Sequence, residues 1–518
     1  MSATPQTAPQ EYPPLPDHIL PLFTIAVAFS TFMEVLDTSI ANVAVPTIAG
    51  NLAASANNGT WVISSYGLAA AIVVPLTGWI AKRFGAVRTF AVSVLLFTLA
   101  SALCGLATSL PMLVAFRFLQ GFVSGPMVPL SQTLLLSNYP PQKRGMAMAF
   151  WAMTVVVAPI FGPLLGGYIT DNLSWPWIFY INAPVGVFAA ITTYSILRRR
   201  ETPTAIEPID IVGLVLMVLG VGSLQVLLDN GNDLDWFNSN VITTLAIIAA
   251  VALSLFVTWE LTDKHPAVDL SLFKVTNFRF GVIAMALGYM CFFAMTVLFP
   301  LWLQTIMGYT ATWAGVATSP VGILALILSP LVGRNIQRVD LRLLTSVSFV
   351  VFAITAYWFS RFTLDTSLGL LFLPRLVQGI AVACFFVPIN QIILSGIAPS
   401  RLAAASGLSN FFRTLSGSMG TAIVVTVWDH RTQMHAVRLA ENFTLNGATT
   451  QGYVGQLTGL GISTTQAYGQ VQATIQQQAA MIATSDLFWG IAALFIALIG
   501  VIWMTRPPFG MRGAVAGH

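Results

Sequence analysis

Apolar runs of about 20 residues or more recur along the whole chain, at 19–46, 59–81, 88–107, 110–137, 144–170, 177–197, 209–229, 241–262, 278–305, 312–333, 341–360, 369–396, 401–429 and 485–505. At a rise of about 1.5 Å per residue, each is long enough to cross a hydrocarbon core as a helix. A helix satisfies its own backbone polar groups, which lipid cannot do. The pattern therefore predicts an all-α polytopic membrane protein with fourteen spans. The one long hydrophilic excursion, 430–484, is rich in Gln, Thr and Gly, with a helical stretch at Thr464 to Ala483. It is too long for a simple connector. A tolerated flexible insertion and a docking site for an extracytoplasmic partner fit it equally.

Composition agrees: 56% of residues are hydrophobic and 8% charged, whereas soluble domains carry roughly 25% charged residues. The positions of the basic residues then set the orientation. With the N-terminus in the cytoplasm, Lys82, Arg83, Lys143, Arg144, Arg198, Arg199, Arg200, Lys274, Arg279, Arg334, Arg338 and Arg401 fall inside, and only Arg361, Arg431 and Arg438 fall outside. This bias follows the positive-inside rule and places both termini in the cytoplasm. The net charge of +4 is thereby a topological signal, with no nucleic acid implied. Residues 1–18, proline-rich and without Lys or Arg, read as a disordered cytoplasmic tail with no cleavable signal. Cys104, Cys291 and Cys384 all lie in apolar spans and act as small hydrophobes.

The chain repeats itself. Arg117-Phe-Leu-Gln120-Gly121 recurs as Arg375-Leu-Val-Gln378-Gly379, and Thr60-Trp61 with Pro75 and Gly78 recurs as Thr312-Trp313 with Pro330 and Gly333. Such internal repeats mark many secondary transporters. The expected division is a six-helix bundle at 19–200, an inserted helix pair at 207–263, and a second six-helix bundle at 274–510 that carries the 430–484 loop. The inserted pair reads as a structural spacer.

Candidate chemistry begins in the first span, where Glu34 and Asp37 stand three residues apart and share one helical face. An ionised group at that depth is costly unless paired, hydrated or protonated, so an intramembrane acid is a functional candidate by default. Arg117 enters the membrane from the outside and reaches nearly the depth of Asp37, which predicts an ion pair. Alternation of Asp37 between ionised and protonated states, with Arg117 present or withdrawn, would couple transport to protons. Aligning Pro46 with Pro300 sets Cys291 opposite Asp37 and Gly288 opposite Glu34, so proton coupling belongs to the first half. Pro159, Gly162, Pro163, Gly166 and Gly167 crowd one span with residues that kink helices or admit close neighbours, and read as a hinge or gate. Arg375 and Arg413 bring the intramembrane arginines to three against two acids.

These residues carry a resemblance. Gly162-Pro163-Leu-Leu-Gly166-Gly167 is similar to the antiporter signature of the major facilitator superfamily, and Arg117 to Gly125 to its proton-transfer motif. Leu36 to Pro46, Trp177 to Gly186, Leu402 to Arg413, the long outer loop and the Arg506-Pro-Pro-Phe509-Gly ending resemble fourteen-span drug:proton antiporters of the EmrB type. The resemblance implies two six-helix bundles plus the inserted pair, and no cofactor, the proton gradient being the energy source. It implies efflux of lipophilic toxic compounds across a bacterial inner membrane, and a tripartite pump whose periplasmic adaptor docks on the 430–484 loop and connects to an outer-membrane channel. Glu34, Asn42, Gln120, Arg375, Gln378 and Arg413 are candidates to line the substrate cavity. One departure stands out: Lys82 occupies a place where the family carries an Asp that latches the cytoplasmic gate, and the second copy carries Gln337.

Other classes fit poorly. No Gly-Lys pair is present for a nucleotide-binding loop, and all five histidines lie outside the spans, which disfavours a membrane-embedded hydrolase. The repeat and hinge favour alternating access over a channel. The closer rival is a dedicated exporter of one endogenous metabolite, a siderophore or fatty acid, on the same scaffold.

Overall fold

Prolines and polar caps start many of the helices, as expected where a first turn leaves backbone N–H groups unpaired. Pro21 and Pro111 stand in first turns, and Asp210, Thr310 and Ser463 each accept a bond from the backbone of their own helix. The structure, a computed structural model, describes residues 12–53, 59, 61–205, 210–232, 234–263, 266–336, 338–441, 443 and 447–509. The side chains of Asn42, Pro159 and Pro163, and Gln337 altogether, lie outside the described residues.

The first bundle consists of α1 (Leu20–Asn51), α2 (Trp61–Phe84), α3 (Ala86–Gly105), α4 (Leu110–Asn138), α5 (Arg144–Asn172) and α6 (Trp177–Leu197). The inserted pair is α7 (Ile211–Asn230) and α8 (Asn240–Thr262). The second bundle holds α9 (Thr276–Thr305), α10 (Ala311–Thr318 continued by Pro320–Asn335), α11 (Leu341–Phe359), α12 (Leu368–Leu394), α13 (Leu402–Ala440), α14 (Ala448–Gly459) and α15 (Thr464–Ile502). There is no strand among the described residues.

Twelve of these segments are long and apolar enough to cross a membrane among the described residues. The other two expected spans are occupied by α5 and α13, which are long helices packed within the bundles. The chain is thus a multi-pass membrane protein.

Pseudo-symmetry is visible in the packing. α2 lies along α4 as α10 lies along α12, and the repeated glycine permits each crossing. A Cβ on Gly121 would strike the Tyr66 carbonyl, and one on Gly379 the Val321 carbonyl. The basic-rich end of the bundles carries a clasp from the linker after α6: Glu201 accepts from the backbone N–H groups of Val87 and Arg88, both at 2.9 Å, at the start of α3. The carboxylate therefore sits on the positive end of that helix.

Two expectations are corrected. Residues 12–18 are not a disordered tail: Leu15 is buried, its N–H donates to the Asn138 carbonyl, Asp17 pairs with Lys143 at 2.7 Å, and Arg200 donates to the Pro13 carbonyl. One apolar anchor and two charge contacts suffice to dock them; residues 1–11 lie outside the described residues. The 430–484 segment, expected as a long outer loop with one helical stretch, is helical over most of its described length. α13 runs on to Ala440, and the helical stretch expected at Thr464 is continuous with the last span as one 39-residue helix. Val454, Ala467 and Val471 give its outer part a small core of its own, and Gln477 donates to the Ile306 carbonyl at 2.8 Å.

Candidate functional site

Asp37 is 2% exposed and Arg117 is fully buried. Taking two such ions out of water costs several kcal/mol each unless geometry and further hydrogen bonds compensate. Here they do. Arg117 Nη1 donates to Asp37 Oδ2 at 2.5 Å, while Oδ1 accepts from Asn182 Nδ2 at 2.7 Å and Gln120 Nε2 at 3.2 Å. The carboxylate from α1 is therefore held by donors from α4 and α6.

Arg117 is fixed in turn. Its Nε donates to the Val62 carbonyl at 3.0 Å, its Nη1 also reaches Gln120 Oε1 at 2.8 Å, and its guanidinium lies 4.5 Å from the Tyr66 ring centre. Nη2 has no partner. Asn182 is oriented by Ser101, 2.9 Å away, whose hydroxyl donates to the Phe179 carbonyl. The pairing of Asp37 with Arg117 follows from matched depth. Asn182 and Ser101 do not, because a single Asn or Ser in an apolar span is common and its facing is not written in the spacing.

Glu34 lies one turn away and outside this cluster. It is partly buried, its Oε2 has no hydrogen-bond partner, and the charge nearest to it in effect is Arg413 of α13, in the other bundle. Arg413 is held from behind, its Nε donating to Asn410 Oδ1 at 3.1 Å and its guanidinium 5.3 Å from the Tyr289 ring centre. Two groups of opposite charge, one from each bundle, thus act on each other, and Glu34 keeps one oxygen without a hydrogen bond. Gln120 belongs to the Asp37 cluster and is fully buried in it. Asn42 is on α1, but its side chain lies outside the described residues.

The second bundle repeats the arginine without the acid. Arg375 Nη1 donates to Gln378 Oε1 at 2.7 Å, yet its Nε and Nη2 have no partner, and the guanidinium rests 3.6 Å from the Phe299 ring centre. Gln378 Nε2 turns to the Met295 sulfur at 3.8 Å. Both residues are enclosed within the second bundle.

The crowded glycines of α5 bear on α1 beside the acids. A Cβ on Gly162 would run into the Ser39 side chain, and one on Gly166 would stand 3.3 Å from Ile40 Cγ2; Gly167 has open space. Helix α5 is continuous through Pro159 and Pro163.

At the basic end the bundles meet directly. A Cβ on Gly78 would lie 2.6 Å from the Ala404 Cα, and one on Gly333 would lie 2.5 Å from the Gly145 carbonyl oxygen. Above these crossings, Asn410 Nδ2 donates to Gln132 Oε1 at 2.9 Å and Gln132 Nε2 lies 3.5 Å from Asn390 Oδ1, joining α13, α4 and α12. Amides thus bridge the bundles near the place where an acidic latch was expected and Lys82 stands.

The sequence pattern of the Major Facilitator Superfamily matches residues 27–421. The chain is 50% identical over 510 residues to the Multidrug export protein EmrB of Escherichia coli (strain K12), covering 98% of this chain and 99% of that one. It is 49% identical over 508 residues to the Fatty acid resistance protein FarB of Neisseria gonorrhoeae, covering 98% and 100%. Among solved structures, the human organic anion transporter MFSD10 aligns over 94% of this chain and 100% of its own with a TM-score of 0.59 and 11% identity, a likeness of fold alone.

Proposed function

Because this chain belongs to the Major Facilitator Superfamily, we propose that it exports chemically varied hydrophobic compounds across a bacterial inner membrane, driven by protons moving inward. The likeness to the Multidrug export protein EmrB over nearly the whole of both chains carries this reading. The basic end then faces the cytoplasm, with both termini there, as the positive-inside rule requires.

In this mechanism Asp37 is the proton site. Arg117, Gln120 and Asn182 hold its carboxylate in this arrangement, and proton exchange at Asp37 accompanies a rearrangement that withdraws these donors. α5 transmits that rearrangement, since Gly162 and Gly166 seat it against α1 within a turn of Asp37. Glu34 and Arg413 line the substrate route, Arg413 held by Asn410 and Glu34 keeping an unpaired carboxylate oxygen. The cytoplasmic gate closes by packing, through Gly78 on Ala404 and Gly145 on Gly333, with the Gln132–Asn410 bridge above, and needs no acid at Lys82.

Helices α13 and α15 extend outside the membrane, α15 by about 30 Å at 1.5 Å per residue. They and α14 offer the surface for a periplasmic adaptor and, through it, an outer-membrane channel. Replacing residues 448–475 by a short linker should abolish co-purification with the adaptor and spare transport in isolated vesicles; intact co-purification would reduce this region to a tether.

A susceptibility panel comparing deletion and overexpression strains tests the export reading. Altered resistance across unrelated lipophilic toxins is expected, and unchanged resistance to all of them would overturn it. The likeness to the Fatty acid resistance protein FarB favours a second reading, export of one lipophilic acid, which predicts a change for fatty acids alone.

A further inference from the structure

The two bundles meet along two seams, and the seams are closed differently. One is closed by direct helix packing: α5 runs against both segments of α10, from Ala311–Thr318 through Pro320–Asn335. On the other, α13 packs on α2 over Val74–Leu76 and Thr77–Phe84, in the cytoplasmic half, where Gly78 meets Ala404 and a Cβ on Gly407 would stand 3.0 Å from the Val74 carbonyl. In the outer half the Trp61–Val73 stretch of α2 packs on α7 of the inserted pair.

Helix α7 is fitted to both walls of that seam. Against α2, a Cβ on Gly222 would lie 3.5 Å from Leu68 Cδ1, and one on Gly67 would lie 3.9 Å from Gln225 Nε2. Gln225, 4% exposed, donates from Nε2 to Ser418 Oγ of α13 at 3.0 Å and to Asp229 Oδ1 at 3.0 Å, and Asp229 also draws on the Ser64 hydroxyl of α2. Beyond the end of α7, Trp236 Nε1 donates to Thr426 Oγ1 of α13 at 2.9 Å. A polar chain therefore runs from α2 through α7 to α13, with Gln225 enclosed at its centre, half-buried partners on either side and Asp229 exposed at its outer end. Such contacts are among the forces that hold helices together in lipid, where apolar surface supplies no driving force.

We propose that the inserted pair is a lateral seal, in which α7, through Gln225, closes the outer half of the α2–α13 seam to the outer leaflet. A lipophilic compound held between the bundles is soluble in the bilayer, so an open seam at this level would release it back into lipid. The seal directs release to the aqueous side and into whatever receives it there. This assigns the inserted pair a part in the direction of export, and it rests on the orientation given above but not on which compounds are carried.

The test uses the full chain in proteoliposomes, with the three native cysteines replaced by alanine and a reporter Ala422→Cys. Ala422 is buried, one turn from Ser418 on the same face of α13 and one turn from Thr426. Labelling by a membrane-soluble maleimide is compared with labelling by a membrane-impermeant sulfonated maleimide. Gln225→Leu, which keeps side-chain bulk and removes both bonds, should raise the rate with the membrane-soluble reagent by about fivefold, the effect of losing a bond of ordinary net strength. The impermeant reagent should be unaffected. An unchanged rate with both reagents would overturn the proposal, and so would an equal rise with both, since that reports an aqueous opening. If Gln225→Leu fails to insert, Ser418→Ala removes the same bridge from the other side and must give the same selective rise. Failure of the multidrug reading would leave these labelling rates untouched.

Discussion

Arg117 and Arg375 occupy equivalent places in the two bundles, within the same Arg-x-x-Gln-Gly run, and each binds the glutamine one turn on through Nη1, at 2.8 and 2.7 Å. Beyond that bond they part. Arg117 meets a carboxylate with two further donors; Arg375 meets the face of Phe299 and has no acid among the described residues. The repeat therefore conserves a way of anchoring an arginine in a helix bundle, and among the described residues only one copy adds a carboxylate to it. The second bundle keeps a fixed charge beside aromatic rings, an interaction worth up to about 2 kcal/mol when desolvated.

The largest effect expected from this contrast is at Asp37. Asp37→Asn should abolish substrate-induced proton release in proteoliposomes while the protein still inserts; release at the normal level would remove Asp37 from its role and erase the difference between the bundles. Arg117→Leu should come next, because removing one partner of a buried pair strands the other charge at a cost of about 3–5 kcal/mol. A loss of thermal stability together with loss of export is expected, and Asp37→Asn added to it should recover stability but not export.

Arg375→Met should do much less. It gives up the contact with Phe299 and one bond to Gln378, and it relieves an uncompensated buried charge. Transport within about fivefold of the parent is expected, since such terms offset within roughly 1 kcal/mol. Complete loss of transport would show that the second arginine carries more than structure. The smallest effects grade the α5 glycines: Gly162→Ala should impair export most, Gly166→Ala less, and Gly167→Ala not at all, following the space that each Cβ would meet. An equal loss at all three would mean that the motif acts through backbone flexibility and not through its seat on α1.

The gate invites the same comparison of expectation with geometry. Lys82 stands where the family resemblance implies an acid, and at this end the bundles meet over glycines 78, 145 and 333, with uncharged amides above them.

What the sequence by itself determined is what hydrophobicity, charge and order along the chain encode. The long apolar helices, the repeat, the inserted pair and the depth match of Asp37 with Arg117 all follow from lengths and counts, because lipid imposes helices of fixed length. Which faces meet was left to the tertiary structure. Asn182 reaching Asp37, Arg375 ending on Phe299, Gln225 bridging to Ser418, and the outer helical stretch joining the last span in one rod are outcomes of packing. An apolar span is hydrophobic on every side, so its sequence carries little record of rotation, and the few polar side chains find their partners only when neighbouring helices fix that rotation.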